Sequence, residues 1–304
     1  MSSIASRPPP TTIPPWRKRL RETGVGYAFI LPMLVLFVVF RIWPAVWSFL
    51  LSFQDYRLRG GSEWLGFENY QRLRDDDDFW QALKVTFIYA AIAVPLTTVL
   101  SLAMAVLVNQ KLRAMSFFRA LYFLPYITSL VMVGVIWKWI YHNPDGLLNS
   151  VLGTVSLGPI SWLESDRLVL PSLAIMSAWK GLGYAMMILL AGLRSIDPNV
   201  LEAAAVDGAT GWQRFFQVTL PLLKPVLFFV IVIETIGAFQ VFDAIYVMTG
   251  GGPVRASYSL VYKLYDEGFR FLDFGYASAI GVVLFAMVMC VSLIQRAMFG
   301  KNDV

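Results

Sequence analysis

Three ionisable side chains interrupt long apolar runs in this 304-residue chain: Arg41, Lys180 and Glu234. A charge in hydrocarbon costs roughly 2.5–3.5 kcal/mol on insertion scales, so such residues usually face one another, a polar cavity or the interior of a bundle. Lys180 and Glu234 each lie near the middle of a run and are expected at similar depth. They would either line a pathway for a polar solute, or form a buried structural pair or a contact with a partner chain. Gln240 and Asp243, three residues apart, share a helix face beyond Glu234. Trp179 and Tyr184 flank Lys180 on its own run. Aromatic faces combined with amide and carboxylate hydrogen bonds suit sugars, so Trp179, Lys180, Tyr184, Glu234, Gln240 and Asp243 are the pathway candidates. Packing and interfacial anchoring are the ordinary alternatives for the Trp and Tyr. Arg41, three residues before Pro44, reads as structural or as snorkelling from a kinked helix.

Other chemistry is ruled out by what is missing. The sequence has one cysteine, Cys290, and one histidine, His142, so neither an internal disulfide nor a His/Cys metal cluster can form. There is no Gly-x-x-x-x-Gly-Lys-Ser/Thr loop to cradle a nucleotide. Gly250-Gly251-Gly252-Pro253 shares only its glycine content with such loops and reads as a flexible outer turn. No nucleophile–base set or metal-ligand spacing supports a membrane enzyme.

The elements that position these residues are apolar spans. Hydrophobic residues make up 57% of the chain and charged ones 15%, with a mean hydropathy of +0.61; soluble domains carry about 25% charged residues. Six stretches are long enough to cross ~30 Å of hydrocarbon: 27–53, 82–109, 117–141, 169–193, 222–247 and 275–297. The expected fold class is therefore all-α, a polytopic membrane protein with six transmembrane helices. Pro44, Pro95, Pro125 and Pro171 lie within spans, where each removes a helix hydrogen bond. Lys and Arg are denser in the segments that would be cytoplasmic if the N-terminus is inside, which puts both termini on that side. Basic residues precede the first span, but no small-residue cleavage site follows it, so it reads as a retained helix. Because the basic residues alternate with apolar spans, the pI near 9.3 does not indicate nucleic acid. The chain divides into a tail (1–26), a first helix and outer loop (27–81), a core of five spans (82–297) and a short tail (298–304).

Between spans four and five, residues 194–221 carry signals of built structure. Asp197 before Pro198 is an N-cap with a first-turn proline. Glu202 to Val206 favour helix, and Gly208 suits the left-handed position that ends one. The predicted helix covers about 198–207. Thr210 with Gln213 makes a capping box for a second, about 212–219, and Pro221 and Pro225 lead into span five. So short a helix is marginal in water and needs a support. It is either a plug for a partner's cleft or an ordinary loop helix packed on its own bundle.

Here the sequence resembles a known family. Glu202-Ala203-Ala204, then Gly208, then Val218, Leu220 and Pro221 match the EAA motif of ABC-importer permeases, with Val218 in place of the usual Ile. Phe118 to Tyr126, Gly134 to Trp139, Asn143 to Asn149, and Met248 to Pro253 extend the likeness to the carbohydrate-uptake permeases of the maltose, lactose and glycerol-phosphate type, over roughly 25–298. The resemblance implies a type I importer permease fold in a bacterial plasma membrane. It also implies a second homologous permease, two ATPase subunits that bind ATP and Mg, and an extracytoplasmic solute-binding protein. By the same resemblance Glu202, Ala203, Ala204, Gly208, Leu220 and Pro221 form the ATPase-coupling segment, and the chain itself binds no cofactor. The alternative, a secondary transporter using Glu234 and Asp243 as coupling-ion sites, lacks paired repeats.

Overall fold

Apolar runs become helices in a bilayer because each backbone group must then be satisfied within its own segment. The computed structural model describes residues 15–57, 61–110 and 115–299. Arg7, Arg59, Lys111, Arg113 and Lys301 lie outside the described residues. Residues up to Leu50 and those from Leu51 onward make two separate units.

The first unit is one long helical segment. Helix α1, Pro15–Phe37, passes through a π-helical turn, Val38–Ile42, into α2, Trp43–Leu51. Pro44 has no N–H to return to the preceding turn, and the chain widens there rather than breaking. Arg41 sits in that wide turn.

The second unit opens with a small antiparallel hairpin, β1 (Gln54–Arg57) and β2 (Gly61–Trp64), an addition to the all-helical expectation. It is fixed by Asn69, whose Nδ2 donates to the carbonyls of Ser52 and Gln54 at 3.0 Å each. The helices follow: α3 (Glu68–Asp75), α4 (Asp77–Val108), α5 (Met115–Ile127), α6 (Leu130–Ile140), α7 (Leu147–Thr154) and α8 (Val169–Ser195). Beyond these lie α9 (Pro198–Val206), α10 (Gly211–Arg214), α11 (Leu220–Phe239), α12 (Asp243–Met248), α13 (Leu260–Tyr265) and α14 (Phe274–Phe299).

Four of these, α4, α8, the segment ending in α11, and α14, are long and apolar enough to span, as is the first segment. Two expected spans are not single rods. The third, expected over 117–141, is α5 and α6, bent by 96° at Thr128-Ser129. The fifth, expected over 222–247, stops at Phe239, and the chain turns through Gln240 to Phe242 before α12. A hydropathy profile averages across such breaks, so apolar residues on both sides hide them.

Helices α4 and α8 pack together along most of their length and carry two apolar cores. One gathers Phe79, Val85, Tyr89, Leu173, Met176, Ile245, Leu260 and Tyr276. The other gathers Ala105, Val108, Met186, Leu189, Leu193, Leu223 and Val230. Between them the packing gives way to polar side chains.

Candidate functional site

Small and polar residues interrupt α4 and α8 at the level between the two cores: Thr97 on α4 and Ser177 on α8. Glu234 enters at the same level from α11. Together with Tyr89, Gln240 and Asp243 they line a cavity of about 340 Å³. The Tyr89 hydroxyl donates to Ser177 Oγ at 2.8 Å, which orients both at the wall. Besides Ala93 of α4 and Gly237 and Ala238 of α11, the wall comes from chain breaks: Leu130 is the first residue of α6, Gln240 to Phe242 connect α11 to α12, and Asp243 and Ala244 begin α12. Non-helical backbone at membrane depth is tolerated where it lines a cavity. The connection after α11 does so here, and the bent span reaches the wall at Leu130 just past its bend. They are also tied to each other, because Gly134 lets α6 lie directly on Val247 and Met248 of α12.

Three of the six pathway candidates, Glu234, Gln240 and Asp243, thus meet at one cavity. The other three, Trp179, Lys180 and Tyr184, are set against the bent span. The expected pairing of Lys180 with Glu234 does not form. Lys180 Nζ instead donates to the carbonyls of Pro125 (3.2 Å), Tyr126 (2.9 Å) and Thr128 (2.8 Å). Matching depth on two helices does not fix direction, and Lys180 turns toward α5. Tyr184 stacks on Tyr126 with ring centroids 4.7 Å apart and planes 10° apart, while Trp179 meets Trp137 of α6 at 5.5 Å.

At the other end of α8, the 194–221 segment has the predicted local structure. The Asp197 side chain caps α9 through the amide of Asn199 at 2.9 Å. Gly208 takes φ +85° at the stop. The Thr210–Gln213 capping box is complete, with Thr210 N donating to Gln213 Oε1 at 2.8 Å and Gln213 N to Thr210 Oγ1 at 3.3 Å. The second helix differs from expectation. After α10 it runs as a π-helical turn, Phe215–Thr219, straight into α11, with Leu220 and Pro221 in the first turn and Pro225 inside. The support that α9 needs comes from its contacts with α10 and the π-helical turn, and Leu201, half-buried, lines a cavity of about 260 Å³ beside them. Its other side stands free: Glu202, Ala203 and Ala205 are exposed, and Val206 is 87% exposed.

Sequence reasoning missed a charged network at the end of the bundle opposite α9. Lys263, only 2% exposed, pairs with Asp76 at 2.8 Å and Glu267 at 3.0 Å. Arg72 pairs with Asp273 at 2.6 Å and covers the Tyr276 ring at 3.9 Å. Tyr276 in turn donates to Asp76. These residues join α3, the start of α4, α13 and the start of α14. Apart from Lys263–Glu267, which are four residues apart, the pairs join residues about 200 positions apart, so the network was not visible in the sequence. His142 is an exposed loop residue.

Comparison with known proteins identifies what this architecture belongs to. The family model described as "Binding-protein-dependent transport system inner membrane component" matches residues 86–301. The chain is 38% identical to the probable ABC transporter permease protein YesP of Bacillus subtilis, over 90% of each chain. It is 34% identical to the trehalose/maltose transport system permease protein MalF of Thermococcus litoralis, covering 91% of this chain and 94% of that one. A crystal structure of a bacterial alginate ABC transporter, in complex with its pentasaccharide-bound periplasmic protein, has a chain of the same fold. It gives a TM-score of 0.82 at 22% identity, over 94% of this chain and 99% of that one. The chain belongs to the binding-protein-dependent inner-membrane component family and is a permease subunit of an ABC transporter, its ATP hydrolysed by a separate ATPase.

Proposed function

We propose that this permease passes a carbohydrate through the cavity between the two broken spans, using Glu234, Gln240 and Asp243 as its polar contacts. The observation that carries the reading is the composition of that wall. Tyr89, Thr97, Ser177, Glu234, Gln240 and Asp243 offer hydroxyl, amide and carboxylate groups in a region otherwise packed with apolar side chains. Such a wall replaces the hydration of a polyhydroxy solute without holding a formal cation. The trehalose/maltose relative and the alginate importer support the same solute class.

Delivery is by an extracytoplasmic solute-binding protein, and a second homologous permease completes the pathway. Two ATPase subunits, which carry ATP and Mg, bind below the two permeases, one of them docking on α9. The exposed face with Glu202, Ala203, Ala205 and Val206 suits a cleft, because small side chains admit close backbone approach. Gly208 ends that helix, and Leu220 and Pro221 connect it to α11. Both termini are cytoplasmic in a bacterial plasma membrane. Residues 1–26 and 298–304 form the tails, 27–81 the first helix and outer loop, and 82–297 the core.

Reconstitution with the partner subunits tests this. Glu202→Lys is expected to lower uptake and ATPase stimulation together, by about tenfold or more. Gln240→Ala and Asp243→Ala are expected to weaken uptake and alter preference across a sugar panel while the ATPase subunits still copurify. Unchanged uptake in all three would remove the reading.

A further inference from the structure

The third span is broken at the level of the cavity, and the break has a specific fastener. A helix C-terminus leaves its last carbonyls without partners, and in a membrane those groups must be satisfied by protein. At the end of α5 the Leu124 carbonyl accepts from Thr128 Oγ1 at 3.0 Å. The carbonyls of Pro125, Tyr126 and Thr128 are all taken by Lys180 Nζ. An ammonium has three donors and no acceptor, so three carbonyls use it fully. The negative end of the α5 dipole faces the same cation.

The rest of that α8 face completes the grip. Gly183 is pressed so closely on α5 that an added Cβ would stand 2.2 Å from the Tyr122 carbonyl oxygen. Tyr184 stacks on Tyr126, and Trp179 holds Trp137 on the far arm. Within six residues, α8 therefore touches both arms of the bend. Leu130, two residues past Thr128, is a wall of the cavity, and Gly134 carries α6 onto α12, which supplies another wall. In the other direction α8 runs unbroken from Lys180 to Ser195, about 22 Å at 1.5 Å per residue. Only Ile196 and Asp197 then separate it from α9.

We infer that Lys180 is a positioning residue that latches the broken third span to α8, so that movement arriving at α9 is delivered to the cavity wall at Leu130. This rests on the proposal that an ATPase subunit acts through α9. A charge that faced solute would leave the α5 carbonyls bare, so the latch also accounts for a lysine at this depth.

The test uses the complete assembly in nanodiscs, with Cys290→Ser and spin labels placed at Phe117 on α5 and Val135 on α6, both exposed. The label separation is measured with and without ATP and vanadate. Wild-type Lys180 should show a nucleotide-dependent shift. Lys180→Arg should retain it, because a guanidinium still offers donors to the carbonyls. Lys180→Met should lose it, while ATPase activity persists and uptake per ATP falls at least about fivefold. Tyr184→Leu, which keeps the ammonium and loosens only the stack, serves as the milder variant if the methionine form assembles poorly, and should reduce the shift. The same shift in Lys180→Met as in wild type, or no shift in wild type while ATP hydrolysis remains coupled to uptake, would overturn the latch. Failure of the wild-type chain to hold an ATPase through α9 would instead overturn the docking proposal beneath it.

Discussion

Gly183 leaves α8 no room for any side chain where it crosses α5, since backbone rather than a flexible side chain occupies the space. Gly183→Ala is expected to destabilise the permease by about 1–3 kcal/mol, as overpacking does. Gly153→Ala on α7, with open space at its Cβ position, should be nearly neutral; thermal melts of the two variants make the comparison. Asp76 gives a pH signature. Burial pushes its carboxyl up, but hydrogen bonds from the Lys263 ammonium and the Tyr276 hydroxyl outweigh burial and hold it below the ordinary carboxylate value. A depressed folded value adds stability above the unfolded pKa and loses it as pH falls through the folded one. The melting gap between wild type and Asp76→Asn should therefore be flat above about pH 5 and close below about pH 4. Asparagine keeps the N-cap, so the gap reads the charge. Single residues were legible where their partners are local. Asp197, Thr210 and Gln213 accept from amides within three positions, and Gly208 stops the helix by its own left-handed backbone. Lys180 was not legible, because its carbonyl partners lie more than fifty residues away.

At the scale of elements, α9 is a short helix whose described residues include none that is buried, so its caps decide whether it persists. Asp197→Ala should cost about 1 kcal/mol of local stability and raise amide hydrogen exchange across 199–206, whereas Asp197→Ser should restore protection. Spans were legible as apolar length, and their number follows if the bent pair is one span. Their breaks were not. Pro125 announced a disturbance in the third span, but the bend falls three residues later, where α5 can be capped from α8. No proline marks the break after Phe239. It is fixed by tertiary contacts, among them Ser259 Oγ donating to the Val241 carbonyl at 2.9 Å. The hairpin at 54–64 escaped for a similar reason: Asn69, from a different element, holds it.

At the scale of the whole molecule, the second unit is layered in four levels: a charged network at the start of α4, and along α4 and α8 two apolar cores with a polar cavity between them. The network ties one end together, the cavity opens the middle, and α9 exposes a face at the other end. The bundle's outline was legible from composition, whereas its internal layering required α4 and α8 to be seen side by side. Burial within the chain also differs between the spans. Half of the most apolar stretch of α8 is buried within the chain, a third of that of α4, 11% of that of the α11 segment and none of that of the first segment. Evolutionary drift should follow that gradient. On α8 nearly every replacement meets a neighbour in the same polypeptide, so change there is constrained from within. Along the first segment, where none of the most apolar stretch is buried, apolar residues are expected to exchange among themselves more freely than on α8.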